Sequence, residues 1–250
     1  MKRTMLVVGA SSGIAARTVI RMADPTWHFA LVARRPEELA AVAAQAEAQG
    51  ATCSTFVADA RDAQAMTDTV RNAVEALGHL DIAWLNVGQG PDQWMQDVSV
   101  SEVHEVMDLN YSVTANALVP VLEVMLAAGA GHVVHTNSLA GLIAVPRQGP
   151  YGAAKVACRH LIDTARAELE PRGLRFTSLY PGFVATERIA DDGLPKPFQI
   201  DVDTAADHVI AAITKQKRDA AFPWQTASLV RALRLAPTPI RNLALRRLAR

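Results

Sequence analysis

The sequence predicts an α/β fold built on a doubly wound, mostly parallel β-sheet. Short apolar runs that contain β-branched or aromatic residues alternate with helical patterns along most of the chain. Parallel strands must be joined by crossover connections, usually helices, and these cover both faces of the sheet. Ligands bind such open sheets beyond the carboxyl ends of the strands. Residues that follow the predicted strands are therefore the first candidates for function.

Six strands and six helical segments make up this prediction. The strands are predicted over residues 4–8, 29–33, 53–58, 82–86, 132–136 and 175–180. The helical segments are predicted over residues 13–23, 36–49, 62–77, 100–128, 150–170 and 203–215. Ser99 and Glu102 have the spacing of a capping box at the start of the fourth helical segment. Pro120 should kink or interrupt that long segment.

The composition argues against several classes of protein. The 250 residues include 25 basic and 25 acidic side chains, 50% hydrophobic residues and two cysteines. A disordered chain would be less apolar, and a disulfide-stapled domain would be richer in cysteine. The zero net charge argues against nucleic-acid binding through bulk positive charge. No apolar run approaches the roughly 18 residues of a membrane span, and the run after Lys2-Arg3 is too short for a signal peptide. Because Cys53 and Cys158 lack a paired spacing, we expect a cytoplasmic protein.

Charge is unevenly spread along the chain. Residues 231–250 contain six arginines and no acidic residue, so the preceding residues carry a net charge of −6. We expect two parts, an α/β domain over 1–221 and a basic helical appendage over 222–250. Apolar residues at helical spacing favour two helices that pack on the acidic body or on a partner subunit. A basic amphipathic segment that contacts an anionic membrane, or that closes over an apolar substrate, is the alternative.

A glycine-rich turn follows the first predicted strand. Gly9 and Gly13 allow a tight turn and a close backbone approach, and a helix begins at once. The amino end of a helix offers free N–H groups and a positive dipole to a phosphate. An ordinary tight strand-to-helix turn is the alternative for this motif. The second predicted strand ends in Ala33-Arg34-Arg35 with no carboxylate, and arginine there favours NADP over NAD because it can pair with a 2′-phosphate.

A tyrosine and a lysine lie four residues apart on one predicted helical face. Tyr151 needs its pKa lowered from about 10 to exchange protons near neutral pH, and one nearby cation supplies about one to three units. Lys155, helped by a positively charged oxidised nicotinamide, could supply that shift. Ser138 follows the fifth strand and could hold a carbonyl oxygen beside Tyr151. Asn110 could polarise a water chain that leads to Lys155.

In these motifs the chain resembles the short-chain dehydrogenase/reductases, a Rossmann-like family. The matching positions lie over residues 4–187 and come in the family's order: Gly9/Gly13/Ala15, Asp59, Asn86-Val87-Gly88, Asn110, Ser138, Tyr151/Lys155 and Pro181-Gly182. A lone Tyr-x-x-x-Lys is unspecific, whereas the whole set in register is specific. Val8, Ala15 and Val87 depart from the family's pattern. We interpret them as a more apolar junction between the first and fourth strands that alters cofactor affinity.

The resemblance implies a role for each matching residue. Tyr151 would be the general acid/base, Ser138 would orient the substrate oxygen, Lys155 would lower the pKa of Tyr151 and bind the nicotinamide ribose, and Asn110 would support a proton-relay water. The cofactor would contact Gly9, Ser11, Ser12, Gly13, Ile14, Arg34, Arg35, Asp59, Asn86, Gly88, Tyr151, Lys155, Pro181, Gly182, Val184 and Thr186. No His, Cys or Asp cluster has metal-ligand spacing, so no metal is expected.

The sequence therefore predicts an NADP(H)-dependent enzyme that interconverts a carbonyl and an alcohol. A non-catalytic NADP-binding sensor or scaffold is one alternative, and a methyltransferase with a similar glycine loop is another. Substrate specificity should lie in residues 89–98, 139–149 and 183–203. Their side chains suggest an apolar pocket, with Trp94, Met95, Leu142, Ile143, Val145, Phe183, Ile189 and Phe198 as candidates and Arg147 and Arg188 as contacts for an acidic group. We expect a homodimer or homotetramer with a small-molecule substrate.

Overall fold

The structure, a computed structural model, describes residues 2–186 and 196–248. Its centre is a seven-stranded sheet in the order β3-β2-β1-β4-β5-β6-β9, and every neighbouring pair is parallel. The strands are β1 (Arg3–Val8), β2 (Trp27–Ala33), β3 (Thr52–Val57), β4 (Ile82–Leu85), β5 (Gly131–Thr136), β6 (Leu174–Pro181) and β9 (Asp219–Phe222). The short strands β7 (Val184–Ala185) and β8 (Ile200–Asp201) pair separately. The doubly wound, single-domain α/β fold is confirmed.

Helices cover both faces of this sheet. They are α1 (Gly13–Met22), α2 (Pro36–Glu47), α3 (Ala63–Leu77), α4 (Val100–Met107), α5 (Val113–Ala128), α6 (Gly149–Leu169), α7 (Val202–Thr214), α8 (Trp224–Leu235) and α9 (Thr238–Leu248). One apolar core joins the sheet to α1, α2 and α7, and a second joins its other face to α3, α5 and α6. Two cores of this kind leave the carboxyl edge of the strands free for a ligand.

The strand order reverses between β1 and β4. β1 leads outward through β2 to β3, whereas β4 lies on the other side of β1 and leads to β5 and β6. The Asn86 N–H donates to the Val8 carbonyl at 2.9 Å, so the turns after these two strands lie side by side. Such a switch point opens a crevice at the carboxyl edge, where the candidate site residues were expected.

The long fourth helical segment is interrupted, but not at the predicted place. The expectation that Pro120 interrupts it is wrong, because Pro120 is buried inside the continuous helix α5; a kink at Pro120 stays a prediction. The interruption is a π-helical turn over Asp108–Ser112. Thr114 Oγ1 donates to the Asn110 carbonyl at 2.7 Å and thereby satisfies an acceptor of that turn. Core packing of α5 carries the helix through the proline. The capping box of Ser99 and Glu102 is confirmed.

The seventh strand of the sheet was not predicted. Asp219–Phe222 lacks β-branched residues, so its sequence carries no strand signal. Buried Arg166 anchors it by donating to the Arg218 carbonyl at 2.9 Å and to Ser178 Oγ at 3.0 Å. Phe222 is the buried last residue of this strand. The sheet therefore runs one residue past the division expected between residues 221 and 222.

One expectation about apolar segments needs correction. Val100–Ala128 is long and apolar enough to cross a membrane by length and composition, although no such run was expected from the sequence. Its residues include Glu102 and the buried Asn110, and α5 packs on α3 and β4. In this fold the segment is a helical layer of the domain.

Two buried histidines of β5 make a testable contribution to stability. Burial, helped by the positive charge of Lys155, lowers the pKa of His135 to about 3, and burial lowers the pKa of His132 to about 4. The unfolded chain binds these protons near pH 6.5. Stability should therefore rise with pH through this window and be lost as the pH falls from about 6.5 towards 4.

Replacing His135 should reduce the loss of folding stability that occurs as the pH falls. Neither ring nitrogen of His135 has a hydrogen-bond partner, so His135→Leu should reduce the slope by up to about 1.4 kcal/mol per pH unit and cost little at pH 7. His132 bonds Thr177 Oγ1 at 2.8 Å, so His132→Leu should cost about 1 kcal/mol or more at pH 7. Urea unfolding at a series of pH values measures both effects. An unchanged slope for His135→Leu would contradict the buried neutral state.

Candidate active site

A cleft of about 740 Å³ lies at the carboxyl edge of the sheet. Most of the predicted cofactor and substrate residues line it together: Gly9, Ser11, Ser12, Gly13, Ile14, Arg34, Arg35, Asp59, Asn86, Gly88, Ser138, Tyr151, Lys155, Pro181, Gly182, Val184 and Thr186. Asn110 does not line the cleft and is fully buried beneath it. The fold therefore gathers residues from distant parts of the chain in one place.

The turn after β1 has the backbone that its glycines suggested. Gly9 has φ +90°, a conformation that favours glycine, and a Cβ there would lie 3.0 Å from Val87 Cγ2. Helix α1 begins at Gly13, and the side chain of its N-cap Ser12 makes no capping hydrogen bond. The first N–H groups of α1 thus face the cleft without a side-chain acceptor from Ser12. They are suited to hold an anion such as a phosphate.

Arg34, Arg35 and Arg61 line the same cleft as this turn. Arg35 donates to Ser11 Oγ at 3.2 Å and pairs with Glu38 at 3.0 Å. Asp59 lies 3.8 Å from Arg34 and accepts a bidentate pair of hydrogen bonds from Arg61. Those hydrogen bonds from Arg61 are the main reason that the pKa of Asp59 is lowered. Arg61 also lines the cleft, and the sequence reasoning missed it, although it follows Asp59 by only two residues.

Tyr151, Lys155 and Ser138 meet at the other side of the cleft. The first turns of α6 carry Tyr151 and Lys155, whereas Ser138 follows β5 and accepts a hydrogen bond from the Ala140 N–H at 3.1 Å. Lys155 Nζ donates to the Thr136 carbonyl at 3.2 Å and lies 5.6 Å from the centre of the Tyr151 ring. A phenol, a hydroxyl and an ammonium thus converge on one region of the cleft.

Burial dominates the protonation of this group. It raises the pKa of Tyr151 to about 12, against a smaller lowering from the hydrogen bond with Ser138. Burial also lowers the pKa of Lys155 to about 8. The expectation that Lys155, helped by an oxidised nicotinamide, lowers the pKa of Tyr151 stays a prediction; in the protein alone desolvation disfavours both charged forms. The Tyr151 phenol is therefore protonated at neutral pH.

Asn110 lies in the π-helical turn, where its amide is held firmly. Its Nδ2 donates to the Gln89 carbonyl at 2.7 Å and to the Val106 carbonyl at 2.8 Å. Its Oδ1 is buried and has no hydrogen-bond partner. A Cβ on Gly88 would lie 2.5 Å from both Asn110 Oδ1 and Lys155 Nζ. Because Gly88 has no side chain, the acceptor Asn110 Oδ1 and the donor Lys155 Nζ border the same small space.

Two further residues that position the site were missed from the sequence. Asn137 donates to the Lys155 carbonyl at 2.9 Å and accepts from the Ser138 N–H at 2.9 Å, which joins the Ser138 turn to α6. Thr136 Oγ1 donates to Asn86 Oδ1 at 2.7 Å and accepts from Trp84 Nε1 at 2.9 Å. Asn137 could have been noticed from the sequence, because its side-chain amide directly precedes Ser138.

Two of the expected specificity segments, 89–98 and 139–149, pack against each other. The Gln93 N–H donates to the Arg147 carbonyl at 2.7 Å, and the Arg147 guanidinium lies 5.4 Å from the centre of a Trp94 ring. The cleft has an apolar wall formed by Leu139, Ile143, Val145, Phe183, Leu229, Val230, Leu233 and Leu245. Arg147 lines the cleft too, whereas Trp94, Met95, Leu142 and Phe198 do not. Ile189 and Arg188 lie outside the described residues.

Comparison with known proteins identifies the family. The profile of the short chain dehydrogenase family matches residues 3–194. An "uncharacterized oxidoreductase" of Myxococcus xanthus is 30% identical over 98% of this chain and 97% of its own length. An A-factor type gamma-butyrolactone 1'-reductase of Streptomyces virginiae is 34% identical over 76% of this chain and 74% of its own length.

Solved structures share the same fold. The alcohol dehydrogenase of Thermococcus sibiricus complexed with 5-hydroxy-NADP is 24% identical with a TM-score of 0.79, over 89% of this chain and 96% of that one. A levodione reductase is 24% identical with a TM-score of 0.80, over 88% and 94% of the two chains. The chain belongs to the short-chain dehydrogenase/reductases. It is therefore an oxidoreductase of a family that uses a nicotinamide cofactor for carbonyl and alcohol chemistry.

Filling the space at Gly88 should disable the site without unfolding the protein. Gly88→Ala should lower turnover by about 100-fold, because the new Cβ must displace Asn110 Oδ1 or Lys155 Nζ. Gly78→Ala is the matched control, since Gly78 also has a positive φ but nothing lies within 4 Å of a Cβ there. Turnover and thermal unfolding should be measured for both variants. Equal turnover in the two variants would contradict the role of this space.

Proposed function

We propose that the protein is an NADP(H)-dependent oxidoreductase that interconverts a carbonyl and an alcohol. One observation carries this proposal. A single cleft contains Tyr151, Lys155 and Ser138 on one side and Arg34 and Arg35 beside the α1 amino end on the other. The first set suits proton transfer at a substrate oxygen, and the second suits a phosphate-rich cofactor.

The cleft fits a dinucleotide phosphate by its own geometry. The φ of +90° at Gly9 and the α1 N–H groups left uncapped by Ser12 favour a pyrophosphate there. The unpartnered Asn110 Oδ1 beside the open space at Gly88 calls for a polar group or water at that end. When bound, the nicotinamide dinucleotide would supply or accept a hydride. Lys155 would bind the nicotinamide ribose, Asn86 and Gly88 would flank the adenosine ribose, and Pro181-Gly182 would flank the nicotinamide.

Tyr151 would exchange the proton that accompanies the hydride. In carbonyl reduction, Ser138 and Tyr151 would hold the substrate oxygen, and the Tyr151 hydroxyl would donate its proton to that oxygen as the alcohol forms. A pKa of about 12 keeps this phenol protonated and ready to donate. In the reverse direction, Tyr151 must first lose its proton. Lys155 Nζ and Asn110 Oδ1 would form the start of a route that replaces it.

The preference for NADP(H) would come from Arg34 and Arg35. β2 ends without a carboxylate that could accept from the ribose 2′-hydroxyl of NAD, and both arginine side chains line the cleft. Arg35 already holds Ser11 in the phosphate turn, and Glu38 pairs with Arg35 rather than standing alone. A 2′-phosphate would bring two negative charges to this cluster, which also includes Arg61.

Substrate, assembly and location are parts of the same proposal. The apolar wall suits a small apolar carbonyl compound, and relatives with a reductase name include the gamma-butyrolactone 1'-reductase and a sulfoacetaldehyde reductase of Chromohalobacter salexigens. We propose a homodimer or homotetramer in the cytoplasm that binds no nucleic acid.

A sensor or scaffold that binds NADP without turnover is the competing function. The methyltransferase alternative is removed by the family match.

Removing the Tyr151 hydroxyl separates catalysis from mere cofactor binding. Tyr151→Phe should lower carbonyl reduction by about 10²- to 10⁴-fold, because no general acid remains at the substrate oxygen. Tyr111→Phe is the control, since Tyr111 does not line the cleft. Nicotinamide absorbance over a carbonyl and alcohol panel measures the rates. Equal rates for wild type and Tyr151→Phe would favour the sensor.

The direction of the reaction should determine its pH dependence. Reduction needs protonated Tyr151, so its rate should stay nearly constant at pH values below about 8, where Lys155 also keeps its proton. Oxidation of the alcohol needs the phenolate, so its rate should rise with pH. Initial rates in both directions over the same buffers provide the comparison. An oxidation rate that falls with pH would contradict this assignment.

Reversing charge at the end of β2 tests the cofactor preference. Arg34→Asp and Arg35→Asp should each shift the ratio of NADPH to NADH affinity by at least about tenfold towards NADH, because a carboxylate repels the 2′-phosphate. Arg71→Asp, at an exposed arginine of α3, should leave the ratio unchanged. Fluorescence titration gives both dissociation constants. A ratio that Arg34→Asp and Arg35→Asp leave unaltered would refute this interpretation of the β2 end.

A further inference from the structure

We propose that α8 and α9 form a docking surface for an anionic lipid bilayer. Helices α8 and α9 form the described part of the basic appendage, residues 224–248. This part carries the arginines 231, 234, 241, 246 and 247 and contains no acidic residue. The proposal does not depend on the activity proposed above. It rests on three observations about this appendage: the unpaired state of its arginines, the exposure of its apolar side chains and its position beside the cleft.

The arginines of the appendage have no partner among the acidic residues that the structure describes. Across residues 2–186 and 196–248, none of the five guanidinium groups makes an ion pair or a hydrogen bond. Arginines elsewhere do pair, as Arg17 and Arg21 do with Asp203 and Asp207. Neutralisation by the protein's own carboxylates would have been the simplest role for a basic tail. The five positive charges instead stand free to meet an external anionic surface.

Large apolar side chains lie exposed among these charges. Trp224 is 71% exposed and Leu235 is 87% exposed at the two ends of α8. On α9, Ile240 is 58% exposed and Leu243 is 54% exposed. Arg247 follows Ile240 by seven residues and Leu243 by four, so the three share one helical face. Interleaved apolar and basic side chains suit the boundary between lipid headgroups and acyl chains, where arginine stems can lie against the apolar layer.

Helix α8 attaches the appendage to the body through its apolar inner side. Ala227 and Val230 of α8 are buried with Leu139 and Tyr180 beside the cleft. Leu233 of α8 and Leu245 of α9 line the cleft itself. A bilayer bound to the outer side of the appendage would therefore lie close to the apolar wall of the cleft. An apolar substrate could exchange between that wall and the lipid phase over a short distance.

The alternative occupant is a second copy of this chain. The body's net charge of −6 would attract a basic appendage, and an isologous contact could cover Ile240 and Leu243. Anionic lipid fits better, because a cluster of four to eight basic residues beside an apolar face is the pattern that recognises anionic headgroups. The exposed Trp224 also belongs to the residue types that favour the membrane interface.

Vesicle sedimentation of the full-length protein tests the proposal. Vesicles of phosphatidylcholine with phosphatidylglycerol should bind the protein, and binding should fall when salt is raised from about 0.1 M to about 1 M. Pure phosphatidylcholine should bind it far more weakly. Each basic side chain near an anionic surface contributes about fivefold in affinity, so Arg241→Gln/Arg246→Gln/Arg247→Gln should bind on the order of 100-fold more weakly.

A matched variant controls for net charge. Arg172, Arg175 and Lys215 are exposed near the amino edge of the sheet, away from the cleft. Arg172→Gln/Arg175→Gln/Lys215→Gln removes the same charge and should keep wild-type affinity for the anionic vesicles. Ile240→Ser/Leu243→Ser should weaken binding by at least about tenfold without changing charge or thermal stability, since both side chains are exposed.

Three results would overturn the proposal. They are failure of the wild type to bind anionic vesicles, equal losses for the two triple variants, and binding that is insensitive to both lipid charge and salt. A further result would point to the second copy instead. Sedimentation equilibrium could show that the wild type is a dimer and that Arg241→Gln/Arg246→Gln/Arg247→Gln is a monomer. If the wild type also failed to bind the vesicles, the appendage would be a subunit interface.

Discussion

The Lys155 ammonium is buried and the Tyr151 phenol is partly buried, and the resulting cost of holding a charge on either group governs the chemistry of the site. Lys155 is 2% exposed, and burial lowers its pKa to about 8, whereas burial raises the pKa of Tyr151 to about 12. Each group is thus pushed towards its neutral form, and neither alone can hold the other charged. A nearby positive charge brought by a ligand would act strongly in this dry environment. Protonation of Tyr151 is in this way tied to what occupies the cleft.

The fold supplies the rigid frame that such a site requires. Asn137 ties the Ser138 turn to the backbone of Lys155, and Thr136 connects β5 to Asn86 after β4. Buried Asn110 is fixed through both hydrogens of its amide. These bonds join the turns after β4 and β5 with α6 and the π-helical turn, four parts that meet only because parallel strands end at one edge. Small displacements of the reacting groups would cost rate, so this bracing is part of the function.

Much of this architecture could be predicted from the sequence. The six strands and the helical segments between them came from periodicity, and the motifs at the strand ends led to a site that the fold gathers into one cleft. Where prediction failed, tertiary contacts outweighed local signals. Asp219–Phe222 pairs as a strand because β6 and Arg166 hold it, and α5 continues through Pro120 because its neighbours are packed in the core. The raised pKa of Tyr151 could not be inferred, because its main cause is burial, which is a property of the whole fold. The role of Asn137 could not be predicted because its partner Lys155 is 18 residues away in sequence. Arg61 could not be predicted because only the folded structure shows that it lines the cleft.

Direct titration of Tyr151 tests the central claim about burial. Tyrosinate absorbance of the wild type minus that of Tyr151→Phe isolates this phenol from Tyr111 and Tyr180. In the protein alone, we expect Tyr151 to remain protonated up to at least about pH 11, because its burial disfavours the phenolate. With oxidised nicotinamide dinucleotide phosphate bound, its pKa should fall by about one to three units, as one nearby cation provides. A pKa at or below about 10 in the protein alone would contradict desolvation as the force that sets the chemistry of this site.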